Sequence, residues 1–177
     1  FWGVVAIFVY VGGEVSIGSF MVSFLSSPDV GGLSEQEAGR YVAWYWGGAM
    51  LGRFVGAFVM QHIRAGWVLA GHAVVAVALI GVASMSAGAL AMWSILAVGL
   101  CNSVMFPTIF SMALTGLGRH AGQGSGLLCS AIVGGALVPV LQGLLADTLG
   151  LQLALLLPMS AYAYIAYYGW RFRNLTE

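Results

Sequence analysis

The sequence predicts an all-α polytopic membrane protein. Apolar residues make up 60% of the chain and charged residues only 7%, and glycine is unusually abundant, with 26 residues. Soluble domains of this size do not have such a composition, because they need charged side chains on their surface. No segment indicates a β-strand or a soluble domain. The formal net charge of zero argues against a nucleic-acid partner.

Six apolar stretches are long enough to cross a bilayer, which takes about 20 residues. The predicted spans cover residues 1–25, 41–60, 67–85, 90–116, 125–146 and 153–170. Short connectors with Gly, Ser, Pro and Asp separate them, and these residue types favour turns. We therefore expect residues 1–177 to form a single six-helix transmembrane bundle.

Turn residues mark where the helices begin and end. In the first connector, Ser34 followed by Glu37 predicts a capping box at the start of the second helix. Short connectors that contain glycine, at residues 64–66 and 86–88, separate the second, third and fourth helices. Two more connectors with glycine, at residues 118–124 and 147–150, separate the last three helices.

The distribution of charge predicts the orientation of the bundle. The connectors after even-numbered helices, together with the C-terminal tail, carry Arg64, Arg119, Arg171 and Arg173. The remaining connectors carry Asp29, Glu35, Glu37 and Asp147, with Arg40 as a basic exception. Because basic loops usually face the cytoplasm, both ends of the chain are predicted to be cytoplasmic.

The chain begins with Phe1, already inside an apolar stretch, which predicts a truncated sequence. A basic start followed by a small-residue cleavage site, as in a signal peptide, is not seen there. Six helices with both ends in the cytoplasm would be one half of a twelve-helix transporter made from two six-helix repeats.

Three segments of the chain are recognisable: residues 10–20, 46–56 and 102–111, of which the last, Asn102-Ser-Val-Met-Phe-Pro-Thr-Ile-Phe-Ser, is the most specific. They resemble the major facilitator superfamily, and more narrowly its bacterial glucose/galactose transporters, relatives of the fucose permease. Residues 124–136, 138–143 and 165–169 extend the likeness over nearly the whole chain. The chain is similar to the second half of that family only.

This resemblance implies a sugar/proton symporter of the bacterial inner membrane that works by alternating access. Its partners would be a hexose, a proton, the lipid bilayer and the missing N-terminal six-helix half of the same protein. The family's proton-coupling carboxylates lie in that half and have no counterpart here. The loop after the second helix keeps a glycine and a basic residue of the superfamily's signature but lacks its aspartate.

Glu14 is the first candidate for the site, because it is a lone carboxylate inside an apolar stretch. A charge at the bilayer centre costs about 2.5–3.5 kcal/mol on insertion scales, so it normally faces a cavity, a partner or a substrate path. We predict that Glu14 accepts a hydrogen bond from a sugar hydroxyl, carries a proton, or does both. The alternative is a structural ion pair with Arg53, which reaches a similar depth and is predicted to have a structural or gating role.

Asn102 is the second candidate, because an amide both donates and accepts hydrogen bonds and so suits vicinal hydroxyls. Phe106 follows one helical turn later on the same face, and Pro107 frees a backbone carbonyl nearby. A polar group beside an aromatic ring is typical of a sugar site. The alternative for Asn102 is an interhelical hydrogen bond.

Three further residues complete the predicted binding site, and Pro107 and Pro139 are predicted to have structural or gating roles. Tyr10 lies one turn before Glu14 and is expected to donate to that carboxylate or to substrate. Trp46 shares a helix face with Arg53 and would stack on a sugar, unless it belongs with Tyr45 to the aromatic belt at the membrane surface. Gln142, which follows Pro139 in the fifth helix, is predicted to act as a gate or to cap freed backbone. Tyr162 is interpreted as an interface anchor or packing residue.

Other classes of function fit the sequence less well. No metal-ligand spacing, nucleophile motif or phosphate loop indicates an enzyme or a cofactor. Cys101 and Cys129 lie in apolar runs and are predicted to be packing residues rather than a disulfide or metal site. The alternatives to a symporter are a six-helix channel, a non-transporting scaffold, and a facilitative carrier without proton coupling.

Overall fold

A computed structural model describes residues 1–174, which fold into helices joined by short turns. The α-helices are α1 (Trp2–Ser26), α2 (Glu35–Val59), α3 (Ala65–Met85), α4 (Gly88–Asn102), α5 (Met105–Leu114), α6 (Ala121–Ala131), α7 (Gly134–Leu149), α8 (Leu151–Ala154) and α9 (Leu156–Arg171). A short 3-10 helix, Gly118–His120, precedes α6. The predicted all-α fold is confirmed, since the part of the chain that the structure describes contains helices and turns but no strand.

Three of the six predicted membrane segments are interrupted helices. The fourth segment consists of α4 and α5, the fifth of α6 and α7, and the sixth of α8 and α9. Four helical stretches are long and apolar enough to cross a membrane: Trp2–Ser26, Ala65–Met85, Gly88–Leu114 and Gly118–Leu149. The other two segments fall short by that measure. Of these, α2 carries Arg53 in its interior, and α8–α9 is interrupted at Leu155.

The predicted capping box at the start of α2 is present. The Glu37 backbone N–H donates to Ser34 Oγ at 3.3 Å, and the Ser34 backbone N–H donates to Glu37 Oε2 at 3.1 Å. The Ser34 hydroxyl also donates to Glu37 Oε2 at 2.7 Å, and these bonds hold the pKa of the Glu37 carboxyl below its usual value. The cap explains why α2 begins at Glu35, ahead of the predicted apolar span.

Helix α1 lies at the centre of the bundle and packs against α2, α5, α6, α7 and α9. Helix α3 packs against α4 and runs antiparallel to α9, so closely that a side chain at Gly66 would collide with the backbone of Arg173. The largest fully buried side chains include Tyr10, Tyr45 and Tyr162. The core therefore contains phenol hydroxyls, which need hydrogen-bond partners.

Glycines allow close contact between helices on two sides of the bundle. On α2, side chains at Gly48, Gly52 and Gly56 would meet Leu100, Ser103 and Val104 of the α4–α5 segment. On α7, a side chain at Gly134 would collide with the Phe8 carbonyl of α1. Such spacing of small residues is how helices approach closely inside membranes.

The two cysteines are free thiols in different surroundings. Cys101 is buried in α4, as predicted for a packing residue, and Cys129 is exposed on α6. The prediction that Cys129 is a packing residue is therefore wrong for the described chain. Its side chain is turned away from the described bundle.

Candidate functional site

A cavity of about 420 Å³ lies between the middle parts of α1 and α2 and the end of α4. Its lining contains two charged residues, an amide and an indole together with apolar side chains: Glu14, Trp46, Ala49, Met50, Arg53, Phe54 and Asn102. The cavity is within the size range of small-molecule sites. It brings together Glu14, Trp46, Arg53 and Asn102, which come from three separate predicted spans.

Glu14 is half-buried in the wall of this cavity. The Tyr10 hydroxyl and the Arg53 guanidinium are its electrostatic neighbours. Among the described residues, Arg53 forms no ion pair with Glu14, and its Nε donates instead to the Ser103 carbonyl at 3.3 Å. Glu14 and Arg53 thus face one cavity without neutralising each other through a direct ion pair.

Pro107 explains why the Ser103 carbonyl is available to Arg53. In a continuous helix, the N–H of residue 107 would donate to the carbonyl of residue 103, but proline has no N–H and its ring disfavours that geometry. The helix accordingly ends at Asn102 and resumes at Met105. Arg53 donates to the free carbonyl, which ties α2 to the junction between α4 and α5.

Asn102 connects four helices through three buried tyrosines. Its Nδ2 donates to the Tyr45 hydroxyl at 2.6 Å, and its Oδ1 accepts from the Tyr162 hydroxyl at 2.7 Å. Its backbone carbonyl accepts from the Tyr10 hydroxyl at 3.0 Å. An amide has two N–H donors and two acceptor lone pairs, so one donor and one lone pair are left. Asn102 therefore makes interhelical hydrogen bonds and also borders the cavity.

Tyr45 and Tyr162 are functional neighbours that the sequence did not indicate. Tyr45 was assigned to the surface belt and Tyr162 to interface anchoring or packing, and both are fully buried and bonded to Asn102. The belt assignment of Tyr45 is wrong, because an amide in the core supplies the partner that its buried phenol needs. For Tyr162, the structure supports packing and not interface anchoring. One indication of these hydrogen bonds was present in the sequence, namely that an asparagine and tyrosines occur in separate apolar helices.

Phe106 lies beside the site but does not line the cavity. Its ring is 6.3 Å from that of Tyr10 and 6.0 Å from that of Phe110, measured between centroids. Tyr10 therefore contacts both Asn102, through its hydroxyl, and Phe106, through its ring. The pair Asn102 and Phe106 stays together despite the break in the helix.

Gln142 lies elsewhere, on the face of α7 that packs against α1. Its side chain is fully buried, and neither Nε2 nor Oε1 has a hydrogen-bond partner in the described structure. Val138, one turn earlier, contacts Gly12, so Gln142 reaches α1 near Ser16, whose hydroxyl also lacks a partner. Counted at about 100° per residue, Ser16 and Glu14 are on opposite sides of α1. Gln142 therefore does not line the cavity, and Pro139 lies within the unbroken α7.

Comparisons with known proteins give close matches for this sequence. No family model matches the chain. It is 59% identical over 167 residues to a glucose/galactose transporter of Brucella abortus, covering 94% of this chain and 40% of that protein. It is 42% identical to a putative glucose/galactose transporter of Helicobacter pylori and 29% identical to the L-fucose-proton symporter of Escherichia coli, spanning 42% and 40% of their lengths.

The fold matches a solved transporter structure. The crystal structure of the fucose:proton symporter in its outward conformation superposes with a TM-score of 0.93 at 28% sequence identity. The match covers 98% of this chain and 42% of that structure. The chain thus spans about two fifths of the length of the proteins it matches.

Proposed function

We propose that this chain belongs to the major facilitator superfamily, one of whose transporter structures it matches over 98% of its own length, and that it is part of a carrier that moves a hexose across the bacterial inner membrane. The observation that carries the proposal is the cavity in which a lone carboxylate, an arginine, an amide and an indole meet in the middle of an apolar bundle. The curated relatives named above, which are transporters rather than enzymes, support it.

The chemistry of the cavity suits a sugar. The Glu14 carboxylate would accept hydrogen bonds from hydroxyls, while Arg53 and the remaining N–H of Asn102 would donate to them. The Trp46 ring, 48% exposed, would stack on the apolar face of the pyranose. Tyr10 and Phe106 would hold these groups in place from behind, and Gln142 would act outside the cavity, in the contact between α1 and α7.

The rest of the relatives' length leaves room for a second six-helix half, and substrate would bind between the two halves. Alternating access would move the two halves about this site. Both ends of the present chain would face the cytoplasm, following its arginines. The bilayer is the third partner, through the apolar faces of α2, α3 and α7.

Glu14 is the residue we propose for proton coupling in this half. Protonation would remove its charge and with it most of the cost of facing an apolar surface when the cavity closes. A carrier that crosses with sugar only when Glu14 is protonated, and that returns empty after releasing this proton, would move one proton with each sugar. The sugar and the proton would then share one carboxylate.

Arg53 favours a second candidate, a facilitative carrier. Burial of Glu14 opposes its charge, but a guanidinium that faces the same cavity favours the ionised carboxylate. If this attraction outweighs the effect of burial, Glu14 remains charged throughout the cycle. In that case the sugar would equilibrate without proton movement. Proton dependence distinguishes the two candidates.

The test is uptake of labelled glucose, galactose and fucose into liposomes that contain the full-length parent protein, with and without an inward proton gradient. The symporter predicts saturable uptake that the gradient raises above equilibrium. Glu14→Gln should abolish this accumulation while sugar exchange between the two sides of the membrane continues. The matched control is Glu35→Gln, an exposed carboxylate at the start of α2, which should accumulate sugar as the parent does.

Other outcomes of the uptake experiment would support the alternative functions. Saturable exchange whose rate does not depend on the proton gradient, in both the parent and Glu14→Gln, would establish the facilitative carrier. Flux that does not saturate would indicate a channel. Absence of sugar-selective flux would contradict the transport proposal and leave a membrane scaffold.

A further inference from the structure

A second groove lies between α2 and α4, next to the cavity of Glu14 and Arg53 (below, the sugar cavity), and Met50 borders both. Its upper part, at the N-terminal end of α2, has a volume of about 420 Å³ and is lined by Leu33, Glu37, Arg40, Tyr41, Trp44 and Trp93. Its lower part, about 370 Å³, is lined by Trp44, Gly47, Gly48, Met50, Leu51, Trp93, Leu96 and Leu100. Trp44 and Trp93 border both parts, so the two cavities form one continuous groove between α2 and α4.

The groove faces away from the substrate path. Apart from Met50, which borders both, the two cavities are lined by different residues of α2: Trp44 borders the groove and Trp46 the sugar cavity, and residues two apart on a helix point about 200° from each other. A transporter of this fold holds its substrate between its halves. The surface on the far side of α2 is therefore turned toward the bilayer.

The two ends of the groove differ in chemistry. The upper end carries a carboxylate, Glu37, and a guanidinium, Arg40, in the first turns of α2. The hydrogen bonds of Glu37 are to Ser34 and not to Arg40, and both charged side chains are exposed. Below them stand the indole rings of Trp44 and Trp93, which are 66% and 52% exposed. The lower part is almost entirely apolar.

The length of the groove matches one leaflet of a membrane. Arg40 and Leu51 are eleven positions apart, which at 1.5 Å per residue is about 16 Å, close to half of the roughly 30 Å hydrocarbon core. Indole rings between a charged end and an apolar end are typical of the membrane surface. Gly47 leaves the floor of the groove open, since a side chain there would meet nothing within 4 Å.

We propose that this groove binds one phospholipid whose head group carries a primary amine, phosphatidylethanolamine. Arg40 binds the phosphate, Glu37 accepts hydrogen bonds from the ammonium group, and an acyl chain lies over Gly47 between Leu51 and Leu100. A free sugar fits this surface less well, because more than half of the groove's length is apolar. The proposal is independent of which sugar the protein carries and of proton coupling.

Native mass spectrometry of the full-length parent protein, delipidated and then titrated with lipids of identical acyl chains, tests the proposal. Phosphatidylethanolamine should be retained more strongly than phosphatidylcholine or phosphatidylglycerol. Arg40→Gln should weaken retention of all three by at least about tenfold, the size expected for loss of a charge-assisted hydrogen bond. Glu37→Gln, which keeps a capping-box residue, should remove only the preference for the amine.

Gly47→Leu tests the acyl chain contact, because its side chain would fill the floor of the groove. It should lower phosphatidylethanolamine retention by about tenfold. Gly71→Leu is the matched control, since Gly71 in α3 is equally open but outside the groove. Equal retention by Gly47→Leu and Gly71→Leu, or equal retention of the three lipids by the parent, would overturn the proposal.

Tryptophan quenching gives a second readout that does not depend on the charged variants. Phosphatidylethanolamine with brominated acyl chains should quench the parent, and Trp44→Phe should lose part of that quenching. Unchanged quenching in Trp44→Phe would mean that other protein covers the groove. Displacement of the brominated lipid by hexose would assign the groove to sugar, and either result refutes lipid binding.

Discussion

Asn102 has two roles that are usually assigned to different residues. Its amide oxygen and one amide N–H are bonded to Tyr162 and Tyr45, while the second N–H is left for the cavity. A substrate that binds this N–H would therefore bind a group whose position depends on α2 and α9. The interhelical role explains why the side chain has a fixed orientation before any ligand arrives.

Replacing Asn102 by alanine should destabilise the protein. The Tyr45 and Tyr162 hydroxyls would lose their partner while buried, at about 1–3 kcal/mol for each unsatisfied group. We expect a lower melting temperature of the full-length protein in detergent. Tyr164→Phe is the control, because that hydroxyl is exposed and its bond to the Trp2 carbonyl is 3.3 Å long. A melting temperature equal to that of the control variant would argue against the network.

The charged and aromatic residues that line the cavity could be predicted from the sequence, whereas the tyrosines that form hydrogen bonds with Asn102 could not. Glu14, Trp46 and Arg53 could be placed together because depth and helix face follow from counting residues along α1 and α2. The tyrosine partners of Asn102 could not be found in this way, since the bonds depend on how α2, α4 and α9 are rotated against one another. The place of Gln142, away from the cavity, depends on the same rotations.

The junction between α4 and α5 shows how one proline shapes the site at the scale of a helix. The break leaves the carbonyls of Asn102 and Ser103 outside a regular helix, and side chains from α1 and α2 bind them. Hydrogen bonds from Tyr10 of α1 and from Arg53 of α2 thus hold the interrupted helix in place. Its geometry positions Asn102 at the end of α4, next to the cavity.

Pro107→Ala should straighten this junction. The new N–H at position 107 would compete with Arg53 for the Ser103 carbonyl, since proline in a helix costs about 3 kcal/mol through that lost bond. We expect sugar transport to fall at least tenfold, by about 1.4 kcal/mol of transition-state stabilisation, while the melting temperature stays equal or rises. Parent-like transport together with an unchanged melting temperature would mean that the junction does not position the site.

The contact between α1 and α7 is predicted to be sensitive to a single methyl group. Gly134→Ala would place its methyl against the Phe8 carbonyl, and overpacking of this kind costs about 1–3 kcal/mol. A lower melting temperature is expected. Gly126→Ala in α6 is the matched control, because its methyl would meet nothing within 4 Å and alanine favours a helix. If both variants melt alike, the close approach of α1 and α7 is unimportant for stability.

Apolar composition and turn residues were enough to predict six helical segments and the cap at Ser34. The interruptions at Ser103, Ile132 and Leu155 were not predicted. Pro107 gave a signal for the first, which was interpreted as a tolerated kink. Pro158 gave a similar signal for the break at Leu155, because it cannot donate to the Ala154 carbonyl at the end of α8. No proline is placed to explain the break at Ile132, which Gly134 and Gly135 follow closely.

At the scale of the whole molecule, the exposed faces of α2 and α7 show where the six-segment bundle meets other surfaces. Large apolar side chains cover them, including Phe54, Phe58, Leu141 and Leu144, each more than half exposed. A soluble protein would not expose such faces. The bilayer and a second half of the protein are the surfaces that we expect to cover them.

The proposed orientation makes a labelling prediction for the whole protein in intact cells. In a cysteine-free background, Asp29→Cys should react with a membrane-impermeant maleimide, because its connector is predicted to be external. Arg119→Cys should react only after the cells are permeabilised. Both positions are exposed in the structure, so accessibility in the fold does not separate them. Labelling of Arg119→Cys before permeabilisation would reverse the orientation.

The different surroundings of the two thiols have a practical consequence. Within the described residues, Cys129 is the exposed thiol and Cys101 is buried, so a spin label or a fluorophore would attach at one native position on α6. Paired with a label in the rest of the full-length protein, it would report an interprobe distance. The distribution of that distance with and without hexose would test directly whether the protein opens and closes as the proposed carrier should, without altering any residue of the proposed sugar or lipid sites.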